Sequence, residues 1–378
     1  MLMITPATEA VRTIAFYLPQ FHPIPENDNW WGKGFTEWTN VTKAKSLFKG
    51  HYQPQFPADL GFYDLRIPEV REAQSELARE HGIEGFCYWH YWFNGRRILE
   101  RPFNEVLFSG KPDFPFCLGW ANESWTGIWH GCSDRVLVEQ TYPGTKDEEA
   151  HFNSLLPAFT DSRYMKVAGR PIFFIYKPHL LPDSKRFVEH WRELALKSGL
   201  KGIYFVGNTN LKKWDYGQDG FDAMTLHNPG ATAHPYFNRP HRRIVKSFCR
   251  KIGKIFSESL GYSLSGLNTM SYKEYISRAL PNPCAKREEY PCVVPNWDNT
   301  PRCGIGGYVL RGATPELFEQ HLRQAVAQMA HRPPEKRIIF IKSWNEWGEG
   351  NYLEPDQRFG RRYLEACKSV VLGGRSTG

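Results

Sequence analysis

Several signatures are missing from this 378-residue chain, and each absence removes a class of function. No apolar run approaches the about 18 residues of a membrane-spanning helix. The segment from Met1 to Arg12 has no basic start followed by a long apolar stretch, so it does not read as a secretory signal. The eight cysteines (Cys87, Cys117, Cys132, Cys249, Cys284, Cys292, Cys303 and Cys367) are scattered without a C-x-x-C. A disulfide framework or a zinc site is therefore not expected, and reduced thiols in a cytoplasmic protein are. No H-x-x-x-H spacing points to a metal, and no D-x-D points to a metal-dependent nucleotide-sugar site. Neither a metal nor a cofactor is expected. There is no short repeat and no low-complexity linker.

Charge of one sign is also scarce. The net charge of +8 comes from 48 basic and 40 acidic residues, and seven of the basic ones lie between Arg239 and Lys254 with no acid among them. Without those seven the net charge falls to +1, so the basicity is a local patch. Nucleic acid is not expected as a partner. Ile244, Phe248, Ile252 and Phe256 recur every four residues within and just beyond the patch. Such a helix suits either packing on the body of the protein or peripheral contact with the inner face of an anionic membrane.

What is abundant is aromatic: 15% of the chain, with 13 Trp. Short apolar runs alternate with helical stretches, the pattern of a parallel α/β sheet. Eight strands are expected, at Thr13–Tyr17, Ile83–Tyr88, Phe114–Gly119, Pro171–Tyr176, Gly202–Val206, Ala223–Leu226, Val293–Pro295 and Arg337–Lys342. Most are continuous apolar runs, as in strands buried on both faces. Helices are expected over Pro68–Arg79, Lys185–Lys197, Pro315–Ala330 and Arg361–Val371. The pattern predicts an α/β (β/α)₈ TIM barrel with long βα-loop insertions, one catalytic domain over 1–372 and a disordered tail at 373–378. A doubly wound sheet is the competing fold, but no G-x-G-x-x-G follows the first strand.

Active sites of such barrels form where the strands end. The strand ends deliver Gln20 and His22; Trp89, His90, Tyr91 and Trp92; Trp120, Asn122, Glu123 and Trp125; Lys177 and His179; Asn208 and Asn210; His227 and Asn228; Asn296, Trp297 and Asp298; and Trp344, Asn345, Glu346, Trp347 and Glu349. Aromatic faces stack on sugar rings, and Asn, His and Asp hydrogen-bond hydroxyls. Glycosyl transfer needs carboxyl groups to protonate the leaving oxygen and assist attack. Three glutamates sit in aromatic-flanked motifs: Thr36-Glu37-Trp38, Asn122-Glu123-Ser124-Trp125 and Asn345-Glu346-Trp347. Glu349 adds a carboxylate three residues after Glu346. In a helical turn that offset places two side chains on one face, about 5–6 Å apart between Cβ atoms. Glu346, Glu349 and Glu123 are the catalytic candidates. Glu354 and Asp356 are expected in a solvated turn.

These motifs resemble the WbsX family of polysaccharide-biosynthesis glycosyltransferases, which is related to glycoside hydrolase family 99. The resemblance rests on Ala15 to Pro23, Trp30 to Trp38, Tyr88 to Phe93, Trp120 to Glu123, Pro295 to Asn299 and Trp344 to Gly350. It implies a barrel acting on α-linked, mannoside-like sugars with retention of configuration. It casts Glu346 as the base that deprotonates the sugar 2-hydroxyl, giving a 1,2-anhydro intermediate, and Glu349 as the acid that protonates the leaving oxygen. The substrate contacts expected from rim and motifs together are Tyr17, Gln20, His22, Trp31, Glu37, Trp38, His90, Trp92, Trp120, Asn122, His227, Asn228, Asn296, Trp297, Asp298, Trp344, Asn345 and Trp347. The implied partners are an oligosaccharide or polysaccharide, with a nucleotide-sugar donor or lipid-linked acceptor if the enzyme builds cell-surface polysaccharide such as O-antigen or capsule. A retaining hydrolase or transglycosylase is the alternative, and a non-catalytic glycan-binding barrel a third. The hydrolase motif resembles Glu-Trp-His-Glu-Gly-Thr; here Gly348 stands in place of the His and Asn351 in place of the Thr.

Overall fold

A computed structural model describes residues 11–127, 132–208, 214–226, 267–280 and 287–373. His227, Asn228, Asn210 and the basic segment from Arg239 to Lys254 lie outside the described residues. The core is a barrel of nine parallel strand segments: β1 (Arg12–Tyr17), β2 (Gly85–Phe93), β3 (Phe116–Trp120), β4 (Arg170–Ile175), β5 (Tyr204–Asn208), β6 (Ala223–Thr225), β7 (Glu289–Tyr290), β8 (Cys292–Val293) and β9 (Ile338–Ile341). Their order around the sheet is β7-β6-β5-β4-β3-β2-β1-β9-β8. β7 pairs with β6, and β8 pairs with β9. Only Pro291 separates β7 from β8, so together they form one stave and bring the two ends of the sheet together.

This stave begins earlier than Val293–Pro295, where the sequence places it. Pro291 has no N–H to donate, so it suits a break between two short ladders. Its carbonyl still accepts from Phe340 N at 2.9 Å. The second strand runs on to Phe93, past the expected end at Tyr88, because its last three residues pair antiparallel with Arg96–Ile98. The other strands fall within a few residues of expectation. Each of Ile338 to Ile341 is fully buried, and burial of one such side chain contributes about 1.5–3 kcal/mol. The residues that follow are thereby held to a rigid stave.

Helices α1 (Pro68–Glu80), α2 (Thr145–Thr160), α3 (Ser184–Lys197), α4 (Pro315–Met329) and α5 (Arg362–Val371) pack outside the sheet. Asp183 caps α3 by accepting from Arg186 N, and Thr314 caps α4 by accepting from Leu317 N. Inside the barrel Phe16 stacks on Trp89 at 5.0 Å and meets Phe174 at 4.9 Å and Phe340 at 5.4 Å. This aromatic plug fills the barrel interior below the strand ends. Five of the eight cysteines are described as free thiols: Cys87, Cys117, Cys292, Cys303 and Cys367.

Candidate active site

The loops at the strand ends enclose a cleft of about 460 Å³. Its floor holds Glu346, Glu349, Lys342 and Arg302. Its walls include Gln20, Trp31, Phe35, Glu37, Trp89, Tyr91, Glu123, Trp125, Tyr176 and Lys177. Glu346 ends the short strand Asn345–Glu346, and Trp347–Glu349 forms a single 3-10 turn. Glu346 thus precedes the turn and Glu349 ends it, and both carboxyls reach the same two cations. Both are buried, 6% and 7% exposed.

Two cations bridge the pair. Arg302 Nη1 lies 3.0 Å from Glu349 Oε1 and 3.9 Å from Glu346 Oε2. Lys342 Nζ lies 3.4 Å from Glu349 Oε2 and 3.8 Å from Glu346 Oε2. Burial disfavours charge on both acids. For Glu346 burial wins, reinforced by the charge of Glu349, and its carboxyl is held above the usual range. For Glu349 the closer Lys342 and Arg302 overcome burial and hold it below. The surroundings therefore favour a proton on Glu346 over one on Glu349.

A third carboxylate completes the floor. Arg302 Nε donates to Glu37 Oε1 at 2.8 Å, and Glu37 is 1% exposed. Gly348 makes this possible: a Cβ there would sit 1.6 Å from Glu37 Oε1 and 2.9 Å from Arg302 Nε. The position that carries His in the hydrolase motif is thus filled by the Glu37 carboxylate. On the opposite wall Glu123 pairs with Lys177, linking the ends of β3 and β4. Trp125 meets Tyr91 edge-on at 5.0 Å and Trp30 at 5.9 Å, forming an aromatic wall.

Of the residues expected at the site, Glu346, Glu349, Glu123, Gln20, Trp31 and Glu37 line the cleft. The other described candidates do not. Successive strand residues point to opposite faces, and on β2 the inward pair is Trp89 and Tyr91. His90 and Trp92 point out towards α2, where His90 Nε2 meets His151 Nε2 at 2.8 Å and Trp92 stacks on His151. Tyr17 and Trp120 also face outward, Tyr17 to Gln74 on α1 and Trp120 to Phe187 on α3. His22 is buried against Pro19 O.

Several others frame the site. Asn345 brackets Leu18, accepting from its N and donating to its O, and Asn122 does the same for Lys177. Trp38 Nε1 donates to Tyr63 O. Trp344 is fully buried and packs on Phe86. Trp297 underlies Lys342, whose Nζ sits 5.1 Å from the ring centroid, and Asn296 Oδ1 accepts from Trp297 N. Asp298 accepts from His51 Nε2, Gln53 Nε2, and Thr300 N and Oγ1, while its own N–H donates to Glu349 O at 2.7 Å. Glu354 and Asp356 are buried, not solvated. Glu354 accepts from Tyr63, Gln74 and Trp347, which fixes the turn carrying Glu349. Arg302 escaped the sequence reading because it lies in the loop after the seventh stave, away from any glutamate motif. Trp89, Tyr91, Trp125 and Lys177 stand at the rim in sequence, but outside the substrate set; phase along the strand was the signal for the first two.

The fold is shared with solved glycoside hydrolases. The GH99 endo-alpha-mannosidase of Bacteroides thetaiotaomicron superposes with a TM-score of 0.54 at 15% identity, over 96% of this chain and 97% of that one. A glycoside hydrolase-like protein gives 0.55 at 16% identity, over 98% and 96%. WxcX of Xanthomonas campestris pv. campestris is 36% identical over 97% of this chain, which spans half of that protein's length. Residues 13–367 match the family described as glycosyltransferase WbsX, and the chain belongs to that family.

Proposed function

We propose that the chain performs retaining glycosyl transfer, taking its donor sugar from an α-linked glycan through the pair Glu346 and Glu349. The facing buried carboxyls, bridged by Arg302 and Lys342 at the strand ends, carry this reading. In the route the family likeness implies, Glu346 takes the proton of the sugar 2-hydroxyl as that oxygen attacks C1. The bond from C1 to the leaving oxygen breaks, and Glu349 gives that oxygen its proton. The acceptor hydroxyl then opens the 1,2-anhydro ring at C1, losing its proton to Glu349, while O2 recovers its own from Glu346. Both carboxyls return to their starting state.

Such a reaction needs Glu346 ionised and Glu349 protonated. The free cleft favours the reverse. Substrate entry must therefore shift the proton from Glu346 to Glu349, which face the same two cations.

A glycan donor fits the cleft better than a nucleotide diphosphate. Among the described residues, each cation that lines it, Lys177, Arg302 and Lys342, is already paired with carboxylate. A diphosphate seated among these residues would meet Glu123 and Glu349 with every described cation already committed. A nucleotide-sugar donor with a lipid-linked acceptor is the second reading, favoured by the family's description. It would place the enzyme in cell-surface polysaccharide synthesis in the cytoplasm, at the inner membrane face.

Purified protein offered α-linked oligosaccharides, with and without nucleotide sugars, tests both. The expected result is transfer or release without any nucleotide, with the retained anomer seen first by NMR. Glu346→Gln and Glu349→Gln should each lower the rate by about 10²–10⁴. Strict dependence on a nucleotide sugar would reject the glycan donor. Glycan binding that survives both substitutions, with no turnover of any donor, would make the barrel a binding protein.

A further inference from the structure

Arg302 belongs to no motif, and the reaction proposed above gives it no proton to move. Its geometry nevertheless singles it out. It sits on the short helix Thr300–Cys303, placed there by Asp298, which accepts from Thr300 N and Oγ1. Its guanidinium is planar, and its forked donors hold a fixed angle. One edge is spent on Glu37, through Nε at 2.8 Å. That fixes the plane and delivers Nη1 to Glu349 at 3.0 Å, leaving it 3.9 Å from Glu346. Lys342 contacts both acids more evenly, at 3.4 and 3.8 Å. Lys342 favours charge on both acids, and most strongly on Glu349, but the larger difference in distance between the two carboxyls is that of Arg302, 3.0 against 3.9 Å.

We propose that Arg302, tethered by Glu37 through the space Gly348 leaves open, is the positioning residue that decides which carboxyl of the pair holds their shared proton. Glu37 acts at one remove: it does not touch the pair but aims the group that does. This rests on the reading of Glu346 and Glu349 as the reacting pair only for its bearing on catalysis; the placement of the proton is a property of the free protein.

The other groups facing the pair leave this role to Arg302. Tyr91, Tyr176 and Tyr308 are buried, and burial pushes each phenol up, away from ionisation near neutrality. Cys303 beside them is pushed up to about 11, by burial first and by Glu349 second. Glu123 is committed to Lys177. Among the described residues, Glu37, Arg302 and Lys342 are the ones of the floor that carry charge against the pair.

The test needs no substrate. Protein labelled with ¹³C at the glutamate side-chain carboxyl is titrated by NMR, and the two signals are assigned by their loss in Glu346→Gln and Glu349→Gln. The Glu349 signal should stay ionised to lower pH than ordinary glutamates, and the Glu346 signal should hold its proton to higher pH. In Arg302→Gln the Glu349 transition should rise by about 1–3 pH units, the effect of an opposite charge at this distance. In Glu37→Gln, which leaves the Arg302 charge, loosens its aim and also removes a negative charge beside the pair, the Glu349 transition should move less than in Arg302→Gln. Arg302→Lys restores charge without the fork and should fall between parent and Arg302→Gln. A merely structural role would change stability and leave these transitions in place. Unchanged transitions in Arg302→Gln and Arg302→Lys would overturn the proposal, whether or not the protein turns over glycans. Shifted transitions in a protein that turns over no glycan would keep this assignment and remove the proposed reaction.

Discussion

Gly348→Ala tests how the floor of the cleft is built. The backbone at 348 is not in the left-handed region, unlike Gly350 at φ +53°, so alanine meets no conformational penalty there. The penalty is steric. The added Cβ falls 1.6 Å from Glu37 Oε1, whereas ordinary contact begins near 3.4 Å. Glu37 must therefore retreat by about 2 Å, which opens its 2.8 Å bond to Arg302. Both partners are buried, and breaking a buried pair costs about 3–5 kcal/mol. The same substitution made on Glu37→Ala should cost about 1 kcal/mol, because the carboxylate is gone and the close approach that remains is to Arg302 Nε at 2.9 Å. The coupling between the two sites should then be at least about 2 kcal/mol, within the range for side chains in contact. Urea unfolding followed by tryptophan fluorescence on the four proteins of the cycle measures it. Gly350→Ala serves as control: its Cβ would meet Asp298, so its cost should persist in the Glu37→Ala background. If Gly348→Ala costs the same with and without Glu37, the carboxylate is not what excludes a side chain at 348.

Three further outcomes follow from the same geometry. Glu346 is held above the ordinary glutamate value, so the folded state holds more protons than the unfolded one above that pH, and stability falls as pH rises until the folded group has ionised; Glu349 is depressed, so its contribution is present above the ordinary value and lost as pH falls towards its folded value. Unfolding measured across this range should show both limbs, with the upper one flattened in Glu346→Gln and the lower one in Glu349→Gln. Asp298→Asn would turn the amide NH2 either towards His51 and Gln53 or towards Thr300, leaving one of the two sides facing a donor; a loss of about 2–4 kcal/mol in unfolding free energy is expected, and a loss below about 0.5 kcal/mol would contradict the clamp. Tyr91→Ala and Trp92→Ala should each cost about 3–5 kcal/mol of stability, since both side chains are buried, but only Tyr91→Ala, which lines the cleft, should also raise KM for a glycan; a raised KM in Trp92→Ala alone would reverse the phase assigned to β2.

The barrel was legible because its staves are continuous apolar runs, and Ile338-Ile339-Phe340-Ile341 admits no other reading in a chain this aromatic. The carboxylate pair was legible because three residues of spacing suffice to place two side chains on one side of a short turn. Substrate contacts were harder. Rim residues come in alternating phase, and chemical type does not reveal phase: His90 and Trp92 look as suited to sugar as Tyr91. Asp298 and Asn345 resemble hydroxyl-binding groups, yet they satisfy backbone and side-chain donors that burial would otherwise strand. Glu354 illustrates the same limit, since a glutamate beside Pro355 suggests a turn in water until Tyr63, Gln74 and Trp347 are seen to converge on it. Arg302 was invisible because its importance comes from meeting Glu37, 265 positions away.

Charge closure explains why these parts occur together. Glu37, Glu346 and Glu349 bring three negative charges to the floor, and Arg302 and Lys342 bring two positive ones. A buried cluster left with one uncompensated charge is costly, by several kcal/mol even after relaxation. One proton on the pair closes the sum, and that proton is also what acid–base chemistry at a glycosidic bond requires. Replacing Gly348 by a side chain would evict Glu37 and leave two acids facing two cations. The pair could then ionise completely without an excess of charge, and the stored proton would no longer be favoured. Glycine at 348 is in this sense coupled to the protonation of the site, although it contributes no functional group. The same reasoning separates this floor from one with a neutral side chain at that position. There the acid must be kept protonated by burial or by substrate, because a third carboxylate is not available to hold the count.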